Sequence, residues 1–260
     1  MSKLNYLLAT ALLFIIASCS SDDESPRTDF DYFPSSLNSS WNYDVTTDGV
    51  VSQDVLTISN ETGSSFTLQS NPDPANGLMS TILTSGTLTK ESGRLLGSGN
   101  LNLSFQGLND FDISINNAPL YDQNAGANQE LFSTTGMTTQ PVQGYDLNIV
   151  YTARTVQQSD VTSLQVNGSN YSDVLYSQLI VNATITSDVQ VAGFTTTVPV
   201  MNAQDVIVID NYWVENVGLI KSDVVFTYQL EDFSSLGVNL PIPSTDRIES
   251  NQELTAYTIN

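Results

Sequence analysis

In run after run of this chain, apolar side chains recur at every second position. "NLNLSFQ" puts Leu101, Leu103 and Phe105 on one face, and "DFDISIN" does the same with Phe111, Ile113 and Ile115. "YDLNIVYTA" alternates Tyr145, Leu147, Ile149 and Tyr151, "SQLIVNATIT" alternates Leu179, Val181, Ala183 and Ile185, and "DVVFTYQL" alternates Val224, Phe226, Tyr228 and Leu230. A period of two sends one face of an extended chain into a core and the other towards water, which is the pattern of strands with one buried face. The runs are also rich in Thr, Val, Ile and Tyr, which strands favour. No window after Cys19 carries a 3.6-residue apolar stripe. The nearest, "NQELFSTT" near 128–135, is expected to make one or two helical turns.

Turn signals separate the runs: "TDGV" at 47–50, "NPDPANG" at 71–77, "ESGR" at 91–94 and "VNGSN" at 166–170, with Asn167-Gly168 a hairpin turn. Together they predict about ten to fourteen strands. The expected fold class is all-β, an antiparallel curved sheet built as a half-barrel or a sandwich. Residues 31–260 read as a single large β domain. Residues 172–200 read as one long hairpin. The stretch at about 116–143 is rich in Asn, Gln, Gly and Thr and reads as a polar inserted loop.

The first residues follow other rules. "MSKLNYLLATALLFIIASC" has a basic Lys3, an apolar run from Leu7 to Ile16, and small residues before Cys19. That is the layout of a secretory signal, and the run is short for a membrane span. Ile16-Ala17-Ser18-Cys19 resembles a bacterial lipobox, which implies cleavage after residue 18 and acylation of Cys19. Acyl chains contribute about 0.8 kcal/mol per buried CH₂, and several of them anchor a protein stably. The polar segment 19–30 reads as a flexible acidic tether. Within it Ser20, Ser21, Asp22, Asp23 and Glu24 resemble the surface-export signal of Bacteroidetes lipoproteins, which implies display at the outer membrane, facing the exterior. The periplasmic face is the alternative.

Composition then removes whole classes of chemistry. The 260 residues contain no histidine and one cysteine. Ser-His and Cys-His nucleophiles, His-ligated zinc and disulfides are therefore excluded. A formal net charge of −21 opposes nucleic acid and anionic headgroups. Neutral glycans and cations remain compatible.

Two passages carry a family resemblance. "DYFPSSLNSSWNYDV" at 31–45 resembles the "YFPL…G…W.Y" opening of a family of small secreted or lipid-anchored bacterial domains of poorly defined function. "DNYWVENVGLIKSD" at 210–223 resembles the "WYAKGVGLVKSE" passage near the end of the same domains, and "SNYSDVLYSQL" at 169–179 is similar to the strand before it. The resemblance implies a curved antiparallel sheet akin to the half-barrels of lipoprotein carriers. It supplies no catalytic residues. Asn38-Ser39-Ser40 stands where the family has a glycine, and Val214-Glu215-Asn216 replaces its Ala-Lys-Gly.

The expected function is a non-catalytic binding or structural module held at the membrane by lipid, with a glycan or an envelope protein as partner. The alternatives are a half-barrel carrier of a lipid or other apolar ligand and a carboxylate-dependent glycoside hydrolase. For the hydrolase, Glu215, Glu231, Asp146 and Asp205 are acids on or near strands. Trp41 and Trp213 are candidate stacking residues for a sugar, on condition that their rings are exposed. No catalytic or metal-binding residues are assigned. Ca²⁺ is the one conceivable ion, through "NPDPANG" or "YDQNAG", although neither fits the EF-hand pattern. The lipidation reading predicts that Cys19→Ala moves the protein from the detergent phase to the aqueous phase in Triton X-114 partitioning and abolishes labelling by a palmitate analogue. Retention of the label would refute it.

Overall fold

The computed structural model describes residues 30–103, 111–142, 144–191, 193–232 and 242–260. Cys19 and Ser20 to Glu24 lie outside them, as does Phe105. The described chain forms β1 (Ser40–Thr47), β2 (Val50–Thr62), β3 (Ser65–Asn71), α1 (Leu78–Thr84), β4 (Thr87–Glu91), β5 (Arg94–Leu103) and β6 (Phe111–Asp122). It continues with β7 (Gln129–Val142), β8 (Tyr145–Gln157), β9 (Val161–Val166), β10 (Ser169–Val191), β11 (Phe194–Val214), β12 (Gly218–Gln229) and β13 (Thr245–Thr258).

All of these strands join one antiparallel sheet in the order β6-β5-β4-β3-β2-β1-β13-β12-β11-β10-β8-β7, with β9 paired to β10. Apart from β9, this is sequence order carried round a circle. The last strand pairs with the first along their length, from Ser40 opposite Thr258 to Thr47 opposite Ser250. The sheet is thus an up-and-down, barrel-like meander whose ladder opens between β6 and β7. Side chains bridge that seam. The Phe111 ring on β6 lies 5.9 Å from Tyr151 on β8. Buried Gln157 accepts a hydrogen bond from the Asp122 amide at 3.1 Å and donates to the Tyr176 carbonyl at 2.9 Å.

The tight turns are where the sequence places them. Asp48-Gly49, Ser92-Gly93 and Asn167-Gly168 all take positive φ, as the primed hairpin turns require. The long hairpin is β10 and β11, whose pairing runs to Val191 opposite Phe194. The expected half-barrel or sandwich resolves as a single, nearly closed curved sheet.

The alternating apolar residues line its inner face. Phe33 stacks on Trp41 at 4.9 Å and on Phe66 at 5.6 Å, and meets the edge of Trp213 at 6.1 Å. Tyr121 on β6 lies 5.2 Å from Trp213 on β11, a contact across the interior between strands far apart in the ladder. The polar groups of Trp41, Trp213 and neighbouring Tyr43 have partners, as buried Trp and Tyr need. Trp41 Nε1 donates to the Val217 carbonyl at 2.6 Å, Tyr43 Oη to the Leu219 carbonyl at 2.9 Å, and Trp213 Nε1 to Ser177 Oγ at 3.0 Å. The described polarity, apolar inside and polar outside, is the reverse of a membrane-spanning barrel with an aqueous lumen. No described helix is long and apolar enough to cross a membrane.

Two local expectations are corrected. The segment at 116–143 is not an inserted loop: β6 runs to Asp122, β7 spans Gln129–Val142, and the connection is short. "NQELFSTT" is accordingly strand, not helix. β7 is an edge strand with most positions at least partly solvated, so its sequence is under little pressure to alternate, and Pro141 suits an edge. The helix among the described residues is α1 instead. Its buried Met79, Ile82 and Leu83 have helical spacing, but seven residues are too few for a period to register. α1 has no side-chain cap of its own. Fully buried Asp54 of β2 fixes the chain just before it, accepting from the Asn76 amide at 2.9 Å and the Gly77 amide at 2.8 Å.

Gly218 follows the carbonyl that holds Trp41. Its φ is +109°, and a Cβ there would sit 3.0 Å from Trp41 Nε1. Trp41→Ala is expected to cost about 3–5 kcal/mol, and Gly218→Ala at least about 1 kcal/mol. Urea unfolding of both variants checks this; wild-type midpoints would mean that this contact is dispensable.

Candidate functional site

Where the inner face of β10, β11, β12, β13 and β1 is apolar, the outer face carries two adjacent rows of polar and aromatic side chains running across the strands. Strand register builds the first row: Gln178 opposite Asp210, Asp210 opposite Asp223, Asp223 opposite Asn251, Asn251 opposite Thr46. The second row is Tyr176 opposite Tyr212, then Lys221, Glu253, Asp44 and Gln53 of β2. Each of these residues precedes or follows an inward one, such as Trp213 beside Tyr212 or Leu254 beside Glu253, so the core positions determine which groups face out.

At one end the Tyr176 and Tyr212 rings stack at 4.9 Å with planes 11° apart. Tyr176 Oη donates to Asp210 Oδ1 at 2.7 Å, and Gln178 Nε2 donates to the same oxygen at 2.7 Å and to Tyr176 Oη at 3.0 Å. Gln178 in turn accepts from Gln158 Nε2 at 2.7 Å. Further along, the Lys221 ammonium lies 3.2 Å from Asp223 and 3.4 Å from Glu253. Asn251 donates to Asp223 at 2.5 Å. Asp210 and Asp223 stand opposite each other, an arrangement that disfavours two charges unless hydrogen bonds or a cation answer them. Here Tyr176 and Gln178 answer Asp210, and Lys221 and Asn251 answer Asp223.

Burial and the nearby Asp210 carboxylate push the Tyr176 hydroxyl far above its ordinary range. Burial, then the charges of Asp210 and Asp223, push Tyr212 up to about 12. Both tyrosines are therefore neutral hydrogen-bonding groups at neutral pH.

A groove of about 520 Å³ adjoins the rows over β13. It shares Asp223 and Asn251 with them and adds Asp48, Gly49, Arg247, Glu249 and Ser250. Arg247 is paired with Glu249 at 2.6 Å, so the groove is left with an acidic balance. A second hollow, about 480 Å³, lies near Lys90, Arg94 and Pro119.

Trp41 and Trp213 do not form stacking platforms: both rings are 0% exposed. They are core residues because the alternation of β1 and β11 turns them inward. Three of the four acids singled out as hydrolase candidates have local side-chain partners. Asp205 accepts from Asn182 Nδ2 at 2.9 Å and lies 4.0 Å from Arg154, Glu231 is hydrogen-bonded to Asn202, and Glu215 to its neighbour Asn216. Exposed Asp146 pairs in register with Pro141.

The residues of "NPDPANG" and "YDQNAG" are committed to turns and helix docking. Asn76 Nδ2 donates to Asp54 at 2.8 Å, and Asp122 Oδ1 accepts from the Asn124 amide at 2.9 Å. Among the described residues no three acidic side chains gather as a metal set. Tyr176, Gln178, Asp210, Tyr212, Lys221 and Asp223 were not foreseen as a group. All lie within the passages 169–179 and 210–223, in the positions between the buried ones, and alternation read for its polar half would have found them.

Comparison with protein-family models, with curated proteins and with solved structures finds no match to this chain.

The folded value for Tyr212 lies above the ordinary tyrosine value of about 10. Its contribution to stability is therefore complete below pH ~10 and is lost as pH rises from about 10 to about 12. Urea midpoints are expected to fall across that window, and to fall less in Tyr212→Phe. Identical profiles for wild type and variant would contradict the environment described for this ring.

Proposed function

We propose that this protein is a non-catalytic binding module of a bacterial cell envelope, anchored in the outer membrane through acylated Cys19 and facing the exterior. The observation that carries the binding role is the outer-face strip of stacked tyrosines, amides and carboxylates with its adjoining groove. A purely structural surface has no need to gather such groups in register across six strands. The apolar leader, the lipobox-like Ile16 to Cys19 and the acidic Ser20 to Glu24 support the anchor and the address. The resemblance of passages 31–45 and 210–223 to secreted and lipid-anchored domains points the same way.

Binding on the outside is favoured over carriage of an apolar ligand inside, because Phe33, Trp41, Phe66, Tyr121 and Trp213 pack against one another in the interior. It is favoured over glycoside hydrolysis because the acids of the strip are held in ordinary hydrogen bonds and ion pairs. The partner is a glycan or an envelope protein, and the acidic charge disfavours nucleic acid.

Protease treatment of intact cells tests the address. The wild-type protein is expected to be digested. A variant with Asp22, Asp23 and Glu24 replaced by alanine is expected to stay membrane-bound but protected. Protection of the wild type would overturn exterior display.

A further inference from the structure

We infer that the two outer rows bind an extended, neutral polyhydroxylated chain, a glycan, laid across the strands from the Tyr176–Tyr212 pair towards the groove beside Asp48. This rests on the binding-module reading and names its ligand face.

Length comes first. The rows run from β10 to β2 through β11, β12, β13 and β1. Six strands at about 4.8 Å spacing make a strip of about 24 Å. That suits several linked units better than one small molecule.

Chemistry comes second. A sugar hydroxyl both donates and accepts. The strip offers acceptors at Asp44, Asp210, Asp223 and Glu253, and donors at Gln178, Asn251 and Lys221. These groups already hold one another in place, so little side-chain freedom is lost on binding. The half-buried tyrosine pair adds an amphipathic end, able to meet C–H groups with its rings and hydroxyls with its Oη atoms.

Charge and topology remove the competitors. Lys221, the cation of the rows, lies between Asp223 and Glu253. The remaining negative charge repels sulfated, phosphorylated or uronic-acid chains. An extended peptide would seek a free strand edge. β11, β12, β13 and β1 are paired on both sides where the rows cross them, β10 pairs with β8 on its far side from Ser177 with the Gln158 amide on the Tyr176 carbonyl, and the Gln53 carbonyl of β2 accepts from Asn76 Nδ2.

The full-length anchored protein in detergent is screened against immobilised α-glucan, β-glucan, xylan, mannan and galactan, with heparin as the anionic probe. Monomer and hexamer of the neutral glycan retained are then compared by calorimetry. Retention of a neutral glycan, with the hexamer at least about tenfold tighter than the monomer, is the expected result. Tyr212→Ala and Asp210→Ala should each weaken binding about tenfold, the loss of one good contact. Glu215→Gln, outside the strip, should leave it unchanged. Asp210→Asn and Tyr212→Phe keep the shape and serve if an alanine variant unfolds: the first should weaken binding, and the second should keep most of it.

Preference for heparin, equal affinity for monomer and hexamer, or indifference to both strip substitutions would overturn the inference. Failure to bind any glycan, together with crosslinking to an envelope protein on intact cells, would overturn it while leaving the binding-module reading standing. Failure in both assays would remove both.

Discussion

Two hydrogen bonds join the first strand of this domain to the turn into β12. Trp41 Nε1 donates to the carbonyl of Val217, and Tyr43 Oη to that of Leu219, across 176 residues in each case. Around them the Phe33, Phe66, Tyr121 and Trp213 rings pack into one cluster drawn from the N-terminal segment and from β1, β3, β6 and β11. A barrel-like meander has to bring its first and last strands together, and non-local closure of this kind carries a large loop entropy. The burial of two tryptophans with satisfied indole N–H groups is the offsetting interaction. The Asn216 amide adds a bond to the Asp31 carbonyl at 2.7 Å, tying the N-terminal segment to the same turn.

This docking gives the two resemblance passages a physical meaning. They are the two halves of one contact. Within these passages Asn38 and Asn216 both take left-handed backbone, at φ 64° and 58°. Asparagine tolerates that conformation better than most other residues with a Cβ, so it suits these turns. Gly218 is different. Its φ of +109° and the closeness of the indole make any side chain there strained and tightly packed.

The same alternation that builds the core also composes the outer strip. Once Trp213, Ser222 and Leu254 are turned inward, Tyr212, Lys221 and Glu253 must face out, and register brings them side by side. The stability of the fold and the chemistry of its surface are thus two faces of one set of strands.

The sequence by itself determined the all-β class, the hairpin turns at Asp48-Gly49, Ser92-Gly93 and Asn167-Gly168, and the long β10–β11 hairpin, because these rest on a two-residue period and on local φ preferences. Its missing histidine and single cysteine removed mechanisms that need a histidine or a pair of cysteines. The tertiary structure decided the rest. It showed that 116–143 is mostly strand, since an edge strand with little burial has no alternation to read. It revealed α1, which is too short to display a period and takes its fixing group from Asp54 on another strand. It turned Trp41 and Trp213 from candidate platforms into core. It also brought Tyr176, Asp210, Asp223 and Glu253 into neighbouring rows, because cross-strand register is a property of pairing and no single segment contains it.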